Sequence, residues 1–260
     1  MTGTRRVLIA VGVLALWLAV TLLGDWRPHR PHAVEESLHT GFAWWICLAA
    51  LLAYGTVRLA GWRDVSFHAP DPSSTLRVLA LPSVYLVVFL VAAIATGLPP
   101  PATVARLACN MLLVGFSEEV MFRGILFQAF RASLSPWRAV LATSVLFGGA
   151  HLLNSVITGD LEVAAVQAVA ASLSGVFFLA LAVRTKSLWP AILFHAAWDF
   201  TLTLSTPNVA DPIADDGGPI GGLTLLLSGT LLVLPLALYG AFILHRCFRD
   251  RPRDASVSVS

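Results

Sequence analysis

Residues 102–130 read ATVARLACNMLLVGFSEEVMFRGILFQAF, an apolar run of span length with Glu118, Glu119 and Arg123 at its middle. A membrane crossing needs roughly 20 predominantly apolar residues. An ionisable group at bilayer depth costs about 2.5 to 3.5 kcal/mol even on the lenient insertion scale, so three in one span mark a site inside a bundle.

Seven further apolar segments surround this one: residues 7–23, 41–57 and 78–98 before it, and 139–157, 163–183, 188–204 and 220–244 after it. Eight spans of about 20 residues use about 160 positions and leave about 100 for loops and tails, too few for a separate domain. The expected fold is therefore all-α, a polytopic membrane helical bundle of about eight transmembrane helices. Residues 1–245 form a single integral-membrane domain with its motif-bearing core at 102–204, and residues 246–260 form a short, basic, disordered cytoplasmic tail. Composition agrees. Of 260 residues 57% are hydrophobic and 12% charged, the latter about half the usual soluble fraction, and mean hydropathy is +0.78. Ordinary soluble folds, disorder, collagen and coiled coils are excluded. The first segment reads as an uncleaved anchor, Pro82 and Pro235 as kinks that spans tolerate, and Cys47, Cys109 and Cys247 as buried thiols rather than a disulfide framework.

Charge placement sets the orientation. The 17 basic residues are Lys186 and otherwise Arg. With a cytoplasmic N-terminus, the loops holding Arg5, Arg6, Arg58, Arg63, Arg77, Arg131, Arg138, Arg184, Lys186 and the Arg246–Arg253 tail all fall inside, against Arg27, Arg30 and Arg106 outside. Both termini are expected in the cytoplasm, the protein in a cell membrane, and the Arg-rich, Ala/Val/Leu-rich composition points to a bacterial inner membrane. No basic face of soluble size exists to meet nucleic acid. The expected partners are the lipid bilayer and a membrane-associated peptide or protein substrate.

Polar groups on three segments share a depth. Glu118 is 13 residues from Arg131, His151 is 13 from Arg138, and Asp199 is 13 from Lys186, which puts all three about 20 Å from the same end of their helices. Glu119 and Arg123 are one turn apart and can pair, while Glu118 points about 100° away toward another helix. His195 and Asp199 are also one turn apart, as are Phe147 and His151, with Gly148 and Gly149 allowing a neighbouring helix close. Asn154 and Gln167 read as interhelical hydrogen-bonding pairs, and Gln128, His29, His32, Glu35 and Glu36 as ordinary polar groups at interfaces or in loops.

These motifs, Glu118-Glu119-x-x-x-Arg123, Phe147-x-x-x-His151 and His195-x-x-x-Asp199, resemble those of the CPBP intramembrane protease family, named for CAAX proteases and bacteriocin-processing enzymes. The resemblance implies an intramembrane endopeptidase in which Glu118 is the general base helped by His151. His195 and Asp199 would stabilise the oxyanion or hold a metal, and Glu119 and Arg123 would support them, with Phe147 beside His151. The prenyl-protein branch of the family has Asn where this chain has Asp199.

The residues themselves leave the cofactor open. Glu118, His151 and His195 are a three-ligand zinc set, yet a Glu–His pair activates water without metal. Two other functions use the same residue types: a proton-coupled transporter, and a non-catalytic membrane regulator or immunity protein on the same fold. No inverted repeat supports the first, and the intact Glu118, His151 and His195 weigh against the second.

Overall fold

The computed structural model describes residues 2–26, 34–205 and 219–250, and every regular element among them is helical. The helices are α1 (Gly3–Asp25), α2 (Val34–Thr40), α3 (Trp44–Leu59), α4 (Pro72–Leu79), α5 (Ser83–Thr96), α6 (Pro101–Glu119), α7 (Phe127–Arg131), α8 (Pro136–Leu152), α9 (Ser155–Thr158), α10 (Leu161–Thr185), α11 (Trp189–Ser205) and α12 (Pro219–Arg249). Between α6 and α7 the chain stays helical as a π segment, Val120–Leu126.

The boundaries follow from local chemistry. Gly97 takes a positive φ of 98° to end α5, and Pro101 restarts the chain as the first residue of α6, where its missing N–H would have had no helical partner. Pro136 opens α8 in the same way. Asp160 caps α10 by accepting from the Val163 amide at 3.0 Å, which satisfies an otherwise orphaned donor.

Four helices are long and apolar enough to cross a bilayer, within Gly3–Asp25, Pro136–Thr158, Leu161–Thr185 and Gly229–Arg249; the pair α4 and α5 makes a fifth if its two arms are one span. Side chains such as Leu8, Leu16, Val84, Val87, Val88 and Val91 are exposed on the outer faces of α1 and α5. Apolar surface of that extent suits lipid rather than water, and the protein is membrane-embedded.

The structure refines the segments read from the sequence. The third is bent by 60° between α4 and α5, with Pro82 at the bend, where it precedes the first residue of α5. The fifth breaks after Leu152 into α8 and α9. The remaining apolar segments are helical too, but α3 has 16 residues and α11 has 17, and the run from α6 to α7 carries its charges inside. The last helix continues to Arg249, four residues past the expected end of the domain at residue 245. Arg27, Arg30, His29, His32, Asp211, Asp215, Asp216, Arg251 and Arg253 lie outside the described residues, as do the side chains of Glu35 and Glu36.

Helix α10 packs along α8 and α12, α11 against α5 and α6, and α3 against α1 and α6. Small residues set the closest crossings. A side chain at Gly148 of α8 would collide with Ser172 Oγ and the Ala168 carbonyl of α10. One at Gly115 of α6 would come within 2.9 Å of the Ile192 carbonyl oxygen and 3.0 Å of the Ala196 amide nitrogen of α11. Gly149, expected to share this task, has open space beside it. Cys109 is exposed rather than buried.

Candidate active site

Glycine at 115 decides what the next turn of α6 meets. Because α11 lies against Gly115, the side chains of Glu118 and Glu119 reach the residues one turn further along that neighbour. Glu119 is fully buried and meets two partners at once: Arg123 Nη1 forms an ion pair 3.0 Å from its Oε1, and the same oxygen accepts from His195 Nδ1 at 2.8 Å. A carboxylate only accepts, so Nδ1 carries the proton in that bond. The other ring nitrogen, Nε2, then faces Asp199 Oδ2 at 3.3 Å and Glu118 Oε2 at 3.7 Å. His195 is thus fixed at one nitrogen and offered at the other.

The ring is also held by its faces. Phe178 of α10 stacks on it at 4.6 Å between centroids and 22° between planes, and Phe147 meets it edge-on at 6.0 Å. The same two phenyl rings flank the guanidinium of Arg123, at 4.3 Å for Phe147 and 5.2 Å for Phe178. Arg123 also donates from Nη2 to the Gly175 carbonyl at 3.4 Å. A guanidinium with a carboxylate, a carbonyl and aromatic faces around it is the kind of buried cation that a low-dielectric interior tolerates. It sits in the π segment, whose seven residues are all buried, a geometry found often at functional sites.

A cavity of about 320 Å³ opens in front of this cluster. Glu118, His151, His195 and Asp199 line it; Glu119 and Arg123 do not, and stand behind it. His151 Nδ1 hydrogen-bonds the Phe147 carbonyl at 2.9 Å; a carbonyl accepts, so Nδ1 is again the protonated nitrogen and Nε2 is left as an acceptor. Aromatic side chains such as Trp17, Phe122 and Trp198 supply much of the remaining wall. At about 30 Å³ per water, the cavity has room for roughly ten waters or a short peptide segment.

The sequence motifs are therefore brought together: the one-turn pairs Glu119–Arg123 and His195–Asp199 form as their spacing allows, and helix packing adds partners across helices. Glu119 pairs with Arg123 as expected and also orients His195, while Glu118 meets the opposite side of the same imidazole. Asn154 and Gln167 are joined as expected, Nδ2 to Oε1 at 3.4 Å, and line the cavity. Phe178 was not legible, since a phenylalanine inside an apolar run carries no sequence mark. Ser117 was likewise missed: its buried hydroxyl accepts from Trp17 Nε1 at 2.9 Å and ties α1 to the turn that carries Glu118. Among the described residues no group of three or more His, Cys, Asp or Glu side chains is arranged to hold a metal ion. Of the candidate set, Glu118 and His195 approach each other, whereas Nδ1 of His151 is taken up by its own helix.

Residues 100–201 match the family model described as type II CAAX prenyl endopeptidase Rce1-like. All three motifs lie inside that range, and the match bears out the resemblance drawn from them. No curated protein and no solved structure shows significant similarity to the chain.

Proposed function

We propose that this chain, similar over residues 100–201 to the Rce1-like CAAX prenyl endopeptidases, is an intramembrane endopeptidase that hydrolyses a peptide bond of a membrane-associated substrate inside the 320 Å³ cavity. One observation carries the reading: Glu118 and Nε2 of His195 face the same cavity 3.7 Å apart, while Glu119, itself paired with Arg123, holds His195 Nδ1 from outside it.

A water between Glu118 and His151 Nε2 loses a proton to the Glu118 carboxylate as its oxygen bonds to the scissile carbonyl carbon. The carbonyl oxygen gains the negative charge. His195, carrying a proton on Nε2, donates to it, and the bond from Nδ1 to Glu119 keeps the imidazole aimed. Glu118 then gives its proton to the amide nitrogen as the carbon–nitrogen bond breaks, leaving one carboxylic acid and one amine. Asp199, 3.3 Å from Nε2, aligns the ring until the oxyanion replaces it as acceptor. No step passes through a metal ion. We further propose that the eight apolar segments are eight crossings, with both termini on the cytoplasmic side of a bacterial inner membrane.

The test is Glu118→Gln, which keeps the shape of the side chain but cannot accept the proton. It should insert and purify like wild type and release none of the peptides that wild-type protein releases from membranes, by mass spectrometry. Turnover equal to wild type would overturn Glu118 as the base.

A further inference from the structure

A second cavity, of about 190 Å³, shares no lining residue with the first. It is lined by Arg123, Arg131 and Lys186 together with Gln128, Ser66 and Ser187. Three of the lining side chains are cationic, and the one carboxylate among them, Asp64, is engaged by Arg6 at 2.6 Å. Arg123 does not line the first cavity. Its guanidinium is fully buried, and its Nε, which neither Glu119 nor Gly175 engages, has no hydrogen-bond partner. Leaving a buried charged donor unmade is costly, and this one belongs to a side chain that lines the second cavity.

The rim holds an independent mark. Lys186 is the only described non-glycine residue with positive φ, at 54°, a conformation that costs an ordinary side chain about 1 kcal/mol or more. It ends α10 there and sits on the cavity, where a glycine or asparagine would have ended the helix with less strain. The cavity is at the end of the bundle where α7 and α10 finish and α11 begins, and basic pockets between the ends of membrane helices are known to hold lipid phosphate groups.

We propose that this cavity binds a phosphate group, through Arg123 Nε from within and Lys186 and Arg131 at the rim. The site opens on a different cavity from the peptide-cleaving centre, shares Arg123 with the support of that centre, and does not depend on the protein being a protease. Three donors of positive charge around one tetrahedral anion would satisfy the orphaned Nε by a charge-assisted hydrogen bond.

The test is thermal unfolding and native mass spectrometry of the purified full chain in neutral detergent. The probes are phosphatidic acid, diacylglycerol of the same acyl chains, inorganic phosphate, and potassium chloride at matched ionic strength. The variant is Lys186→Asn, which removes the charge and accepts the left-handed backbone, so that loss of fold is not the expected result; Lys186→Arg keeps the charge. Phosphatidic acid should stabilise wild type and the Arg variant, and bind the Asn variant about tenfold more weakly, the worth of one charge-assisted contact. Stabilisation by phosphatidic acid alone supports a lipid headgroup as the source, and stabilisation by inorganic phosphate as well supports a free phosphate. Equal binding of phosphatidic acid and diacylglycerol, equal affinity in wild type and Lys186→Asn, or effects reproduced by potassium chloride would each overturn the proposal.

Discussion

Removing either member of the Glu119–Arg123 pair should destabilise the protein far more than removing both deserves on a sum. The two charges are 3.0 Å apart with both side chains fully buried, and at an effective dielectric near 20 their attraction is about 5.5 kcal/mol. Desolvation offsets much of that, so the intact pair contributes little net, but a lone survivor keeps its desolvation cost without its partner. In Glu119→Ala, Arg123 retains only the Gly175 carbonyl and the rings of Phe147 and Phe178, and the expected loss is about 3–4 kcal/mol. Arg123→Met, which leaves Glu119 with His195 alone, should lose about the same. The double variant should lose about 4 kcal/mol rather than about 7, a coupling of about 2–3 kcal/mol. Reversible unfolding in mixed micelles, followed by tryptophan fluorescence, measures this. Trp17 is a suitable reporter because it packs edge-on against Phe122 of the π segment at 5.7 Å. Strict additivity would refute the reasoning, since it would mean that neither charge senses the loss of the other.

Two further outcomes are expected. Asp199 acts on His195 Nε2 through its shape, so Asp199→Asn should retain most peptide cleavage and Asp199→Ala lose at least about tenfold; elemental analysis of the same samples should find no stoichiometric zinc, and a zinc-loaded wild type with an empty, inactive Asn variant would replace this scheme with a metal-centred one. Reporter fusions after Arg63, Arg131 and Lys186 should report cytoplasm and one at Pro101 the opposite side, and an inverted signal at Pro101 would undo the eight-crossing topology.

The sequence by itself determined that this chain is a helical membrane protein and which of its residues carry charge at depth. Both follow from rules that act along one helix. Apolar length decides insertion, and the 3.6-residue period decides that Glu119 can reach Arg123 and that His195 can reach Asp199. What one helix cannot encode is its rotation and crossing against the next. The spacing sent Glu118 and Glu119 to different neighbours, yet the approach of α11 over Gly115 lets both meet His195, one at each nitrogen. The π segment is equally silent in sequence, because it is selected by packing rather than by any local propensity of its residues, whereas the bend between α4 and α5 falls at Pro82, which the sequence marks as a kink. Phe178, an ordinary apolar residue of α10, became the face on which His195 rests only when α10 and α11 met. Side-chain chemistry and period fix the cast of the site, and helix packing assigns the partners, because a contact between helices depends on crossings set by every small residue along them.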